Sequence, residues 1–113
     1  MIAIAVKSNN IKSVIDDCFG KCEYFFLYDK AENSFMFIDN PAKKVKNKKG
    51  LKAASYLIKT GVKTVISGNF GIPVKKLFDK HKVQMVMASN KYKTLKDIKW
   101  IHLSSGNNTI TTN

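Results

Sequence analysis

The sequence contains no arginine: all 20 basic residues are lysine, set against 8 acidic residues for a formal net charge of +12. Arginine supplies the planar fork that grips phosphate and guanine, and readers of nucleic acid rarely do without it. A charge of this size ordinarily points to an anionic partner, whether nucleic acid, a phosphate ligand or an anionic cluster. Lysine tolerates exposure, so a lysine-only composition assigns most of the charge to a solvated surface. A basic nucleic-acid-binding module is therefore kept as the second reading of function and is not the expected one. The acids are also sparse. Asp16 and Asp17 are adjacent and the others scattered, which leaves no carboxylate cluster to hold divalent metal for nuclease chemistry.

Long apolar runs are missing as well. None approaches the roughly 18 to 20 residues that span a bilayer, and the opening "MIAIAVKSNN" has no basic n-region of a signal peptide. A cytoplasmic protein without a membrane partner is expected. Cysteine is scarce: the chain has two, Cys18 and Cys22. In a reducing compartment they make a poor disulfide framework but remain available as metal ligands. Two thiols complete neither a four-thiolate iron-sulfur site nor a tetrahedral zinc site. No tightly bound zinc is expected, and a metal centre here would need other ligands, a second subunit or an exogenous cluster bringing its own sulfides.

At 113 residues and 44% hydrophobic, the chain has the material for one core. A single domain over residues 1–103 is expected, followed by a polar, flexible tail over 104–113. "MIAIAVK" places Ile2, Ile4 and Val6 on one face and Ala3 and Ala5 on the other, as in a strand buried on both sides. Residues 24–29 and 34–39 are aromatic-rich runs joined by "KAEN", a hairpin pattern. Leu51, Ala54 and Ile58, with Ala53 and Leu57, form a helical stripe that Gly61 is placed to close. "VKTVIS" reads as a fourth strand. Pro73 then stands near a helix start with Val74, Leu77, Phe78 and His81 on one stripe. "VQMVMA" is a fifth strand, "TLKD" resembles a capping box opening a last short helix, and Trp100 and Ile101 pack that helix onto the body.

This order predicts a three-layer α/β fold. Right-handed crossovers favour a five-stranded mixed sheet of order 3-2-1-4-5 with strand 2 antiparallel to the rest. Strands 1, 3 and 4 then end at one edge, at a topological switch point where open α/β sheets place ligands. Three loops meet there. The first, Ser8 to Glu23, carries both cysteines and Lys21. The second holds six lysines from Lys43 to Lys52, among them Lys49, and leads into a helix start at Gly50. The third, "GNFG", opens the next helix, and its glycines would allow a close approach of backbone to ligand.

In order and spacing, "MIAIAVK", "DCFGKCEYFFLYD", "IDNP", "GLKAASYLIKTGVKTVISGNFG" and "HKVQMVMA" resemble the dinitrogenase iron-molybdenum cofactor biosynthesis family of the NifX type, over roughly residues 1–100. The resemblance implies a small domain of ribonuclease-H-like topology that binds or carries iron-sulfur or molybdenum-containing clusters. It matches the family's Phe-Gly-Arg turn to Phe19, Gly20 and Lys21, its Asn-Pro to Asn40 and Pro41, and its glycine turn to Gly68, Asn69, Phe70 and Gly71. Where the family often has histidine before the Phe, this chain has Cys18, a softer ligand suited to iron-sulfur chemistry. Lys21 replaces a fork with a point charge.

The expected function is a non-enzymatic carrier or scaffold for an anionic metal cluster or related oxyanion. Cys18 and Cys22 would ligate a labile iron-sulfur or iron-molybdenum type cluster, lysines would offset its charge, and helix-start amides would donate to it. Cofactor-assembly proteins would serve as donor and acceptor, with the chain a monomer or weak homodimer. A third reading makes Cys18 an enzymatic nucleophile; it lacks a nearby histidine in sequence, His81 and His102 being the only two.

Overall fold

The computed structural model describes residues 1–88 and 93–98. Five strands, β1 (Ile2–Val6), β2 (Tyr24–Asp29), β3 (Ser34–Asp39), β4 (Thr64–Ser67) and β5 (Gln84–Met87), form one sheet of order β3-β2-β1-β4-β5. β2 runs antiparallel to both β1 and β3, while β4 is parallel to β1 and to β5. The sheet is the one expected from the order of elements. Helices α1 (Lys49–Thr60) and α2 (Ile72–Lys80) are its two crossovers. Because both crossovers move in the same direction across the sheet, their right-handedness lays both helices on one face.

The alternation in β1 divides the core in two. Ala3 and Ala5 lie under the helices with Phe25, Leu27, Val65, Ala53, Ala54, Leu57, Val74 and Phe78. Small residues at the sheet centre let α1 and α2 approach closely. Ile4 and Val6 face the other way and join Phe26, Tyr28 and Ile66. On that side the cover, among the described residues, comes from Ile15, Ala88, Leu95 and Ile98. The "TLKD" capping box is present, with the Asp97 carboxylate accepting from the Thr94 N–H at 3.0 Å and the Lys93 N–H at 2.9 Å. These bonds hold the carboxyl below its ordinary range. The element it opens is a single 3₁₀ turn, Leu95–Asp97, in place of the expected helix. Trp100, Ile101, His102 and the tail 104–113 lie outside the described residues.

α1 begins one residue before the expected start. Lys48 stands at its N-terminus with φ 58°, and Gly61 closes the helix in the left-handed region at φ 92°. His81 ends α2, exposed, as a helix-end residue.

The long loop after β1 is sewn into the sheet. Asp16 donates its N–H to Ala5 O at 2.8 Å, and its carbonyl accepts from the Gly68 N–H at 2.8 Å and the Ser67 hydroxyl at 3.4 Å. One residue therefore ties the C-terminal ends of β1 and β4 together. The approach is close enough that a Cβ on Gly68 would sit 2.6 Å from Asp17 Cα. The absent side chain at Gly68 thus makes room for the protein's own backbone.

Gly68→Ala is expected to lower stability by about 1–3 kcal/mol, the usual cost of overpacking, as read from the midpoint of urea denaturation. Gly71→Ala should change it by less than about 0.5 kcal/mol, because the nearest atom to a Cβ there is Pro73 Cδ at 3.9 Å.

Candidate functional site

With Asp16 filling the gap between the ends of β1 and β4, the open concavity lies to the helix side. A groove of about 580 Å³ is lined by Cys18, Phe19, Gly20 and Lys21 from the first loop, by Lys46, Lys48, Lys49, Gly50 and Leu51 from the second, and by Gly71, Pro73 and Val74 from the third. All three loops that the topology brings together contribute to it.

The first loop is fixed by packing. Phe19 is 1% exposed, its ring 5.4 Å from Phe25, 5.6 Å from Phe70 and 5.5 Å from Phe78 between centroids. Its N–H donates to Asn69 O at 3.3 Å. An aromatic cluster of this kind contributes beyond the area it buries and pins the turn that follows. Gly20 then meets α1 backbone to backbone: a Cβ at Gly20 would lie 2.8 Å from both Cα and N of Gly50. Any side chain there would push the loop off the helix start and open the groove.

Asn40 secures the same turn from β3. Buried, it donates its side-chain amide to Gly20 O at 3.1 Å and Cys22 O at 2.9 Å, and its side-chain oxygen accepts from the Ala42 N–H at 2.9 Å. The next residue but two is also occupied: Lys43 pairs with Glu23 at 3.1 Å and Asp39 at 3.5 Å, its ammonium 4.8 Å over the Tyr24 ring. Lys43 is thereby drawn away from the groove.

The two cysteines have different environments. Cys18 is exposed, lines the groove, and donates its N–H to Asp16 Oδ1 at 3.0 Å. Cys22 is fully buried in the helix-side core. Burial raises its thiol pKa well above the ordinary value, the charges of Asp16 and Cys18 push the same way, and the hydrogen bond from Asn40 opposes only in part. The thiolate, the form that ligates metal and attacks electrophiles, is thereby suppressed at Cys22. The residue behaves as a small hydrophobe.

Of the residues singled out from sequence, Cys18, Phe19, Gly20, Lys21, Lys49, Gly50 and Gly71 line the groove. Cys22, Asn40, Gly68, Asn69 and Phe70 do not; they build the frame around it. Asn69 caps its own turn by accepting from the Phe70 N–H at 2.8 Å, and Phe70 is buried against Phe19 and Phe78. Leu51, Pro73 and Val74 complete the wall, whereas the sequence pattern marks them only as helix-stripe and helix-start residues. Their position beside Phe19 depends on the α1–α2 contact, which no local pattern encodes.

The walls are apolar, at Phe19, Leu51, Pro73 and Val74, and four lysines surround them. Neither helix opening onto the groove has a side-chain cap or an acid in its first turn, so the positive end of each dipole is left uncompensated by its own helix. Among the described residues no three His, Cys, Asp or Glu side chains come together as a metal site. The imidazole of His81 stands at the far end of α2, about 13 Å along the helix from its start.

Fold and groove together define a small single-sheet α/β domain with a thiol-bearing, cationic groove at the C-terminal edge of its parallel strands. The chain belongs to the dinitrogenase iron-molybdenum cofactor family, whose model matches residues 1–99. Its fold is that of the apo form of the orange protein from Desulfovibrio gigas, with a TM-score of 0.76 at 18% identity over 86% of this chain and 82% of that one. A Thermotoga protein of the DUF35 family, solved by NMR, superimposes with a TM-score of 0.71 at 22% identity over 85% and 80% of the two chains. No curated protein matches the sequence.

The burial of the Cys22 thiol has a pH signature. A thiol whose pKa is raised by folding stabilises the folded state fully below the unfolded-state value of about 8.5 and loses that contribution as pH rises above it. Wild-type stability should therefore fall above about pH 8.5 by up to about 1.4 kcal/mol per pH unit from this one group. Cys22→Ala should flatten that part of the profile, as chemical denaturation between neutral and alkaline pH would reveal.

Proposed function

We propose that the protein is a carrier for an anionic metal-sulfur cluster, seated in the groove beneath Lys21, Lys46, Lys48 and Lys49. The observation that carries this reading is that the exposed thiol Cys18 opens into the same groove as these four lysines and the uncapped starts of α1 and α2. The cluster is cargo and arrives with its own bridging sulfides, so one protein thiolate and a set of ammonium groups suffice as its protein partners. Apolar walls suit soft, weakly hydrated sulfide faces, while the lysines offset net negative charge without the rigid geometry of an arginine fork.

Incomplete ligation is also what transfer requires. A site with four protein thiolates would hold a cluster too firmly to pass it on, whereas a single ligand lets an acceptor with more thiolates take it. In this reading Cys22 is part of the core, and the cargo is ligated through Cys18. Membership of an iron-molybdenum cofactor family favours a cluster of iron, sulfide and molybdenum as cargo, with cofactor-assembly proteins as donor and acceptor.

Anaerobic reconstitution with iron, sulfide and molybdate tests this through the metal and acid-labile sulfide retained after gel filtration. Wild type should retain stoichiometric cluster, and Cys18→Ser should retain none. Cys22→Ser should retain it while unfolding at lower denaturant. Lys46→Glu with Lys49→Glu should weaken retention by about tenfold or more. Equal retention by wild type and Cys18→Ser would remove the assignment of the thiol, and absence of uptake by wild type would remove the reading.

A further inference from the structure

The groove holding Cys18 carries charge of one sign. Lys21, Lys46, Lys48 and Lys49 border it, and none of its lining residues is acidic. Among the described residues both ion pairs belong to Lys43, outside the groove, so none of these four ammonium groups is paired with a carboxylate. At about 580 Å³ the groove has the size of a site for a small organic molecule. Its apolar walls at Leu51, Pro73 and Val74 can hold a carbon chain while the lysines meet carboxylates, with the exposed Cys18 thiol inside the same space.

The second thiol is closed off from this space. When the first cysteine of a closely spaced pair is oxidised, attack by the second ordinarily resolves it into an internal disulfide. Here Cys22 is fully buried, and the Asn40 side-chain amide donates to its sulfur at 3.7 Å and to its carbonyl at 2.9 Å. Burial also suppresses the thiolate that such an attack requires. An adduct on Cys18 therefore has no resolving partner within the chain.

We propose that Cys18 is a site of reversible S-thiolation by anionic low-molecular-weight disulfides of the glutathione disulfide class, which the four lysines draw into the groove. Cys18 loses its proton to solvent, and its thiolate attacks one sulfur of the disulfide. The sulfur–sulfur bond of the reagent breaks, a new one forms to Cys18 Sγ, and the other half leaves as a thiolate with the electron pair. The disulfide is itself the oxidant, and the exchange is stoichiometric. With Cys22 held in the core, the mixed disulfide persists until an external thiol reverses it. The consequence for cargo rests on the carrier reading: a capped Cys18 has no thiolate to ligate a cluster, so loading is confined to reducing conditions.

Mass spectrometry of the full chain, incubated with glutathione disulfide in the absence of any metal, tests the proposal separately from the carrier reading. Wild type should gain one glutathionyl group on Cys18, removable by dithiothreitol, with Cys22 still open to alkylation after unfolding. Cystamine, a dicationic disulfide, should react at least about tenfold more slowly when each rate is scaled to that of a neutral cysteine peptide. This preference should shrink as salt rises. Lys46→Glu with Lys49→Glu should abolish it. Lys59→Glu with Lys80→Glu, the same change of net charge placed in the last turns of α1 and α2, should keep it. An internal Cys18–Cys22 disulfide in place of the adduct, equal scaled rates for the two reagents, or equal loss of preference in both double variants would overturn the proposal.

Discussion

The backbone of Asp16 is the junction on which the rest of this structure depends. By donating to Ala5 and accepting from Gly68, it spans the ends of two parallel strands that would otherwise diverge at the switch point. The bonds themselves are ordinary. Their effect is large because they turn a long excursion after β1 back over the sheet and deliver Phe19 into the space between β2, the β4–α2 loop and α2. Once that ring is packed among Phe25, Phe70 and Phe78, the next residues have little freedom. Gly20 must meet Gly50 backbone to backbone, and Cys18 is left on the outside with the lysines.

The same geometry separates two cysteines that are close in sequence. Between Cys18 and Cys22 the turn reverses its exposure, one thiol remaining in solvent and the other entering the core beneath Asn40. The Asn40 amide closes this arrangement by meeting two carbonyls of the turn at once, satisfying polar groups that burial would otherwise strand. Several residues matching the family pattern therefore act at one remove. Asn40, Gly68, Asn69 and Phe70 hold the shape of a groove they do not line, and the lining itself comes from residues whose side chains are chemically simpler: one thiol, four ammonium groups and four apolar walls.

Much of the frame was legible because its signals are local. The alternation of Ile2, Ile4 and Val6 against Ala3 and Ala5 gives a strand covered on both faces, the stripe through Leu57 gives a helix, and Gly61 ends it. Handedness then leaves little choice of strand order. The last element was less legible. "TLKD" carries the hydrogen bonds of a capping box, and these bonds are satisfied as well by a single 3₁₀ turn as by a longer helix, so the box fixes a start without fixing a length.

What the sequence alone determined is the order of elements, the meeting of three loops at one sheet edge, and the supply of thiol and lysine in them, because each follows from periodicity, turn chemistry and the handedness of crossovers. Tertiary structure decided which of those residues face the groove. Lys43 is drawn off to Glu23 and Asp39 while Lys46, Lys48 and Lys49 border the groove. Gly68 makes room for Asp17 instead of a ligand, and only one of the two thiols is left in the open. These outcomes depend on contacts between residues far apart in the chain, where packing at a single close approach decides exposure, and no local pattern carries that information.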